Sequence, residues 1–187
     1  MSLTVRELDI PGVLEITPQK FGDERGFFSE TYNAQRYADA GVDTAWVQDN
    51  HSLSASAGVL RGLHYQLPPR AQDKLVRVVR GRAFDVVADI RRSSPTYGKW
   101  VGVELSVEKW NQLFVPKGFA HGFLTLEPNT ELLYKVSDFY SPECDRSIRF
   151  DDRDLDIEWP IDGDGPILSD KDDQAPPLKA ADLPAEW

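Results

Sequence analysis

From Ala45 to Phe139 the chain is a succession of short apolar runs rich in β-branched and aromatic residues, each closed by Gly, Pro or Ser-rich turns. The runs fall at 45–52, 58–66, 74–80, 82–90, 99–105, 112–115, 122–126 and 132–139. A repeat of roughly 8–12 residues with turn signals between runs is the mark of a β-sandwich or barrel. The flanks fit around that centre. Thr4–Ile10 and Val13–Thr17 read as strands joined by a Pro11-Gly12 turn, and Phe21–Gly26 as a polar loop before a strand at Phe27–Tyr32. Asn33–Ala40 is the best helix, with Asn33 as cap and Gly41 as stop. After Ser141-Pro142 the sequence turns acidic and proline-rich. Apolar anchors at Ile148, Phe150, Leu155, Ile157, Trp159 and Leu168 predict a tail packed on the barrel, within one domain over 1–187.

Charge narrows the partners. With 21 basic against 31 acidic residues the net charge is −10, which argues against a nucleic-acid or membrane-surface binder. No apolar run approaches the roughly 18 residues of a membrane span. The N-terminus lacks a basic-then-apolar leader pattern. A single cysteine, Cys144, excludes an internal disulfide and fits a reducing compartment. A cytoplasmic protein is expected.

Against this acidic background Gly58–Gly81 stands out, because it gathers His64, Arg61, Arg70 and Lys74 around a Pro-Pro loop. Strict alternation puts Leu60, Gly62, His64 and Gln66 on one face and Val59, Arg61, Leu63 and Tyr65 on the other. A barrel interior carrying His and Gln is unusual unless it binds something. Gly62 could mark a bulge that turns Arg61 inward as well. A core histidine satisfied by a backbone carbonyl accounts equally well for His64 taken alone. Lys74 opens a strand and either snorkels to the rim or meets an anion. Together the basic groups favour a negatively charged ligand.

His121 lies between glycines in PKGFAHGF, where close backbone approach is possible, and a turn histidine is the alternative. His51 reads as a rim residue, and Tyr134 alone as a core tyrosine. No two histidines stand at i, i+2 with a following carboxylate, the spacing common in metal-binding barrels, so no metal site is expected. The acidic LSDKDD run, 168–173, is either solvated or folds back so that one aspartate orients His64.

In combination the motifs FGDERGFFSETYN, VQDNHSLSASAGVLRGLHYQ, AQDKLVRVVRG, FDVVADIRRSSPTYGKWVGVELS, FVPKGFAHGFLTL, LLYKVSDFYSP, IEWP and LSDKD resemble the dTDP-4-dehydrorhamnose 3,5-epimerase family, in family order across nearly the whole chain. RGLHYQ and GFAHGF are the most specific pair. The resemblance implies an all-β, cupin-like jelly-roll β-barrel, a homodimer, with no metal or cofactor. It implies a dTDP-linked 4-keto-6-deoxyglucose as substrate, inverted at C3 and C5. On the matching positions, His64 corresponds to the base, Asp172 to its orienting partner, Tyr134 to the acid on the opposite face and Lys74 to the cation near the C4 oxygen. Arg61, His121, Gln48 and Asn50 would line the pocket. Arg25 and Glu30 would reach substrate from the partner subunit. Tyr140 would stack on thymine, and Lys171 would touch the nucleotide. Asp145 stands where the family often has Glu, a departure at a nucleotide contact.

The residue types suit that chemistry. A proton beside a ketone is a weak acid, and a fixed cation stabilises the enolate as it forms. Inversion needs a base and an acid on opposite faces. Three alternatives share parts of this pattern: a C3-only epimerase, a metal-dependent cupin enzyme and a non-catalytic sugar-nucleotide binder.

Overall fold

The computed structural model describes residues 2–187 and is nearly all β. The strands are β1 (Leu3–Glu7), β2 (Leu14–Pro18), β3 (Lys20–Asp23), β4 (Gly26–Ser29), β5 (Gln48–Ser54), β6 (Leu60–Gln66), β7 (Lys74–Arg80), β8 (Arg82–Asp89), β9 (Trp100–Ser106), β10 (Gln112–Val115), β11 (Phe119–Thr125), β12 (Thr130–Val136) and β13 (Asp145–Ser147). Two short helices join them, α1 (Ala34–Asp39) and α2 (Asp170–Asp173).

Strands β5 to β12 pair in a nested order, β5 with β12, β6 with β11, β7 with β10 and β8 with β9. Cross-links β7·β12 and β8·β11 assemble these pairs into two antiparallel sheets, ordered β1-β2-β10-β7-β12-β5 and β13-β6-β11-β8-β9. Nested pairing split over two facing sheets is the jelly-roll arrangement, so the cupin-like barrel expected from the sequence is the fold observed.

Period-two patterning produces three apolar layers. Between the sheets, Val76, Val78, Leu113 and Leu132 meet Val87, Val103, Leu105 and Phe123. Each such side chain contributes about 1.5–3 kcal/mol on full burial. On the outer face of the second sheet, Leu63, Tyr65, Val86 and Ile90 are covered by the tail through Ile148, Leu155, Leu178 and Ala181, with Ile157, Trp159 and Trp187 packed alongside. Of the expected anchors, Phe150 and Leu168 are only partly buried and lie outside this cluster. Asp152, buried in the tail, accepts the N–H groups of Asp154, Leu155 and Leu178, so its carboxylate is satisfied where it sits. On the first sheet's outer face, Tyr37 of α1 packs with Ile16, Leu75 and Phe114. Asn33 caps α1 as expected, its side chain accepting the Arg36 N–H at 3.2 Å.

Three differences are physical. Phe21–Gly26, expected as a loop, lies in the β3–β4 hairpin, because Gly26 at φ 127° lets the chain reverse within two residues. Strand β11 begins at Phe119 rather than Gly122, since Phe119 and His121 both pair with β8 and are buried. The run at 168–173 contains a helical turn, capped by Ser169.

Alternation fails at one place that matters. In the β6·β11 ladder His64 stands opposite His121, yet Arg61 stands opposite Phe123. Three steps on β6 match two on β11, a bulge at Gly62. Arg61 and His64 therefore share the interior-facing side of the sheet with His121 and Phe123, as the bulge alternative expected. Gly62 is required twice over. Its φ is 130°, and an added Cβ would lie 2.4 Å from Gly122 Cα. Gly62→Ala is expected to cost more than about 3 kcal/mol, combining backbone strain with a clash that neither strand can relieve. Urea unfolding measures it; a loss under about 1 kcal/mol would show that the ladder repacks.

Candidate active site

His64 leaves β6 toward the space between the sheets. Its Nε2 lies 2.5 Å from Asp172 Oδ1. Asp172 rides on α2, whose cap Ser169 accepts the Asp172 N–H at 3.2 Å and donates its hydroxyl to Asp172 Oδ2 at 2.8 Å. The Gly62 N–H also bonds the Asp172 carboxylate. The bulge that aims His64 thus also helps to hold its partner.

The pair is neutral imidazole and carboxylate. Burial lowers the His64 pKa below its ordinary 6.5 and outweighs Asp172, which works to raise it. Burial works to raise Asp172, but hydrogen bonds from His64, Ser169 and Gly62 outweigh it and hold the carboxyl below the usual range. With Nε2–H donated to the carboxylate, Nδ1 keeps its lone pair and is the basic atom.

Two groups of the facing sheet complete the centre. Lys74, at the start of β7, is buried and donates to the His64 carbonyl at 3.4 Å. Burial pushes its pKa down to about 8, against the pull of Asp85 and Asp145. Tyr134 on β12 is half-buried; burial raises its phenol, with Arg61 opposing. A base, a cation and a phenol from two sheets thus face one open cleft, whose empty space, counted out into solvent, is about 620 Å³. Such a set can take a proton from an acidic carbon, stabilise the resulting oxyanion and return a proton from the other side.

Of the sequence-predicted residues, Gln48, Asn50, His64, Lys74, Tyr134, Tyr140, Asp145 and Lys171 all line that cleft. Lys171 pairs with Asp145, and the Tyr140 hydroxyl donates to the same carboxylate at 3.3 Å. His121 is buried opposite His64, its Nε2 2.7 Å from Asp85 Oδ1. Arg61 is exposed, near the Leu53 carbonyl and close enough to Tyr134 to act on it. Arg25 and Glu30 are not brought to this cleft within the chain. Arg25 grips Asp23 on the β3–β4 hairpin, and Glu30 pairs with Arg36.

Residues 7–180 match the family model described as dTDP-4-dehydrorhamnose 3,5-epimerase. The chain belongs to that family. It is 54% identical over 171 residues to the dTDP-4-dehydrorhamnose 3,5-epimerase of Shigella flexneri, covering 91% of this chain and 93% of that one. Among solved structures, the dTDP-6-deoxy-D-glucose-3,5-epimerase of Legionella pneumophila, in complex with dTDP-4-keto-L-rhamnose, superposes with a TM-score of 0.92. That protein is 46% identical, with 97% of this chain and 95% of that chain covered. A 3'-monoepimerase from Streptomyces bikiniensis, in complex with dTDP-quinovose, is more distant: 37% identical, TM-score 0.85, covering 92% of this chain and 86% of that one. The family's fold and its epimerase class are therefore those of this chain.

Sequence reasoning missed Ser169 and Asp85, and placed Gln66 on the His64 face without giving it a role. Ser169 had a signal: Ser followed three residues later by Asp is a capping pattern. Asp85 had a fainter one, an acid inside the apolar run AFDVVADI, which demands a buried partner.

By NMR, His64 is expected to titrate below 6.5 in the free protein. Asp172→Asn should lower that pKa further, because the carboxylate is what raises it. A value at or above 6.5 in the unaltered protein would contradict the neutral pair.

Proposed function

We propose that this chain is a dTDP-4-dehydrorhamnose 3,5-epimerase, inverting C3 and C5 of a dTDP-4-keto-6-deoxyglucose with its own side chains and no cofactor. The observation that carries this reading is the His64–Asp172 pair set across one cleft from buried Lys74 and half-buried Tyr134. His64 Nδ1 removes the proton beside the C4 ketone. The electron pair moves onto the C4 oxygen, where the buried Lys74 ammonium stabilises the negative charge. Tyr134 delivers a proton to the opposite face of the same carbon, and configuration inverts. Asp172 orients His64 and stabilises the imidazolium that forms. Tyr134's raised pKa keeps the phenol protonated, as an acid must be.

The rest of the cleft suits a nucleotide. Tyr140 offers an exposed ring for the base, and Lys171 and Arg61 supply positive charge for the diphosphate. A local positive cluster explains how a chain of net charge −10 accepts a dianion. We place the protein in the cytoplasm, in keeping with its unpaired Cys144. Among the described residues no helix is long and apolar enough to cross a membrane.

Incubation with dTDP-4-keto-6-deoxyglucose in deuterated water, read by mass spectrometry, tests the reaction. Two deuterons are expected, at C3 and C5; one at C3 would make this a C3-only epimerase. His64→Ala should abolish exchange, and Lys74→Met should slow it about 10²–10³-fold. Unchanged exchange in His64→Ala would overturn the reading.

The functional unit we propose is a homodimer. The β3–β4 hairpin supports this, because Phe27 and Phe28 are 56% and 61% exposed beside Arg25, an apolar patch of the kind that marks an interface. In that assembly Arg25 and Glu30 reach the cleft of the other copy. Sedimentation should find a dimer. The double variant Phe27→Asp, Phe28→Asp should give a monomer with reduced activity, and a dimer in that variant would place the interface elsewhere.

A further inference from the structure

Gln66 ends β6, two residues past the base, and is 5% exposed. It faces the cleft lining, but its amide is engaged with the protein. The Nε2 group donates to the Arg70 carbonyl at 2.7 Å and to the Phe139 carbonyl at 3.2 Å. The Oε1 atom accepts the Ser141 N–H at 2.8 Å. Both donors are used, and the two carbonyls fix which end of the amide is nitrogen. Little remains to offer a ligand.

What these bonds hold is specific. Phe139 and Ser141 are the neighbours of Tyr140 on either side. The Tyr140 N–H itself donates to Gln48 Oε1 at 3.2 Å, and its hydroxyl to Asp145. The Tyr140 N–H and hydroxyl and the flanking Phe139 carbonyl and Ser141 N–H are thus tied, although Tyr140 is 57% exposed and belongs to no apolar cluster. An exposed aromatic held by its backbone rather than by packing is a preorganised stacking surface, because the ordering cost is met before the ligand arrives.

We infer that Gln66 is a positioning residue for nucleotide recognition: it fixes the 139–141 segment, and so the plane of Tyr140, without contacting the ligand. The inference rests on the reading of Tyr140 as the platform for the thymine base.

The test uses the full-length protein and dTDP as probe, with affinity measured by calorimetry. Gln66→Met keeps the volume and removes the hydrogen bonds. It should weaken dTDP binding by about tenfold, the worth of one or two net hydrogen bonds, and raise KM while leaving kcat at saturating substrate unchanged. In a Tyr140→Ala background the same change should cost no further affinity, since a residue acting through Tyr140 has nothing left to position. Equal losses in both backgrounds would show direct contact and overturn the proposal, as would unchanged affinity in Gln66→Met. If that variant does not fold, the unaltered protein decides. The Ser141 amide should be strongly protected from hydrogen exchange before dTDP is added, and exchange at a free-peptide rate would overturn the proposal. Failure of the unaltered protein to bind dTDP would instead remove the functional reading beneath it.

Discussion

The hydrogen bond between His64 and Asp172 joins positions 108 residues apart, and most of the architecture converges on it. A histidine on a barrel strand is only a weak base in an arbitrary orientation. A carboxylate on its Nε2 selects the tautomer and leaves Nδ1 free. That carboxylate comes from a segment with no strand of its own. It is placed because the tail is anchored on the outer face of the second sheet by Ile148, Leu155 and Leu178. Burial of apolar surface on one side of β6 thus positions a charge on the other.

The bulge at Gly62 connects the two sides. Without the extra residue, Arg61 and His64 could not share a face, and the Gly62 N–H would serve the ladder rather than Asp172. Gly122 on β11 makes room for it: a Cβ on Gly62 would lie 2.4 Å from the Gly122 Cα, and one on Gly122 would meet the Arg61 carbonyl at 2.9 Å. The two most specific motifs, RGLHYQ and GFAHGF, therefore meet across one strand pair. Their glycines pack together while their histidines stand side by side.

Burial then tunes the chemistry. The same low-dielectric interior lowers His64, lowers Lys74 to about 8 and raises Tyr134. Each shift favours the neutral form, yet Asp172 stays ionised because three donors hold it. The centre is an unprotonated base, a proton-bearing phenol and a lysine whose charge is labile near pH 8.

The architecture was legible in the chain because alternation and turn spacing are local. The strands 74–80 and 112–115 needed no correction, and Asn33 announced the helix it caps. Most cleft residues were legible too, through motifs that resemble a family. What the chain alone left open was decided by contacts distant in sequence. Whether the LSDKDD run was solvated or folded back onto His64 turned on where the tail docked. Whether Arg61 faced inward turned on a register shift visible only against β11. That Asp85 serves His121, and Gln66 the flanks of Tyr140, follows from the nested pairing of strands and the loops it brings together. A sequence specifies periodicity within an element; which elements face one another is set by the packing of the whole, and the site lies between elements.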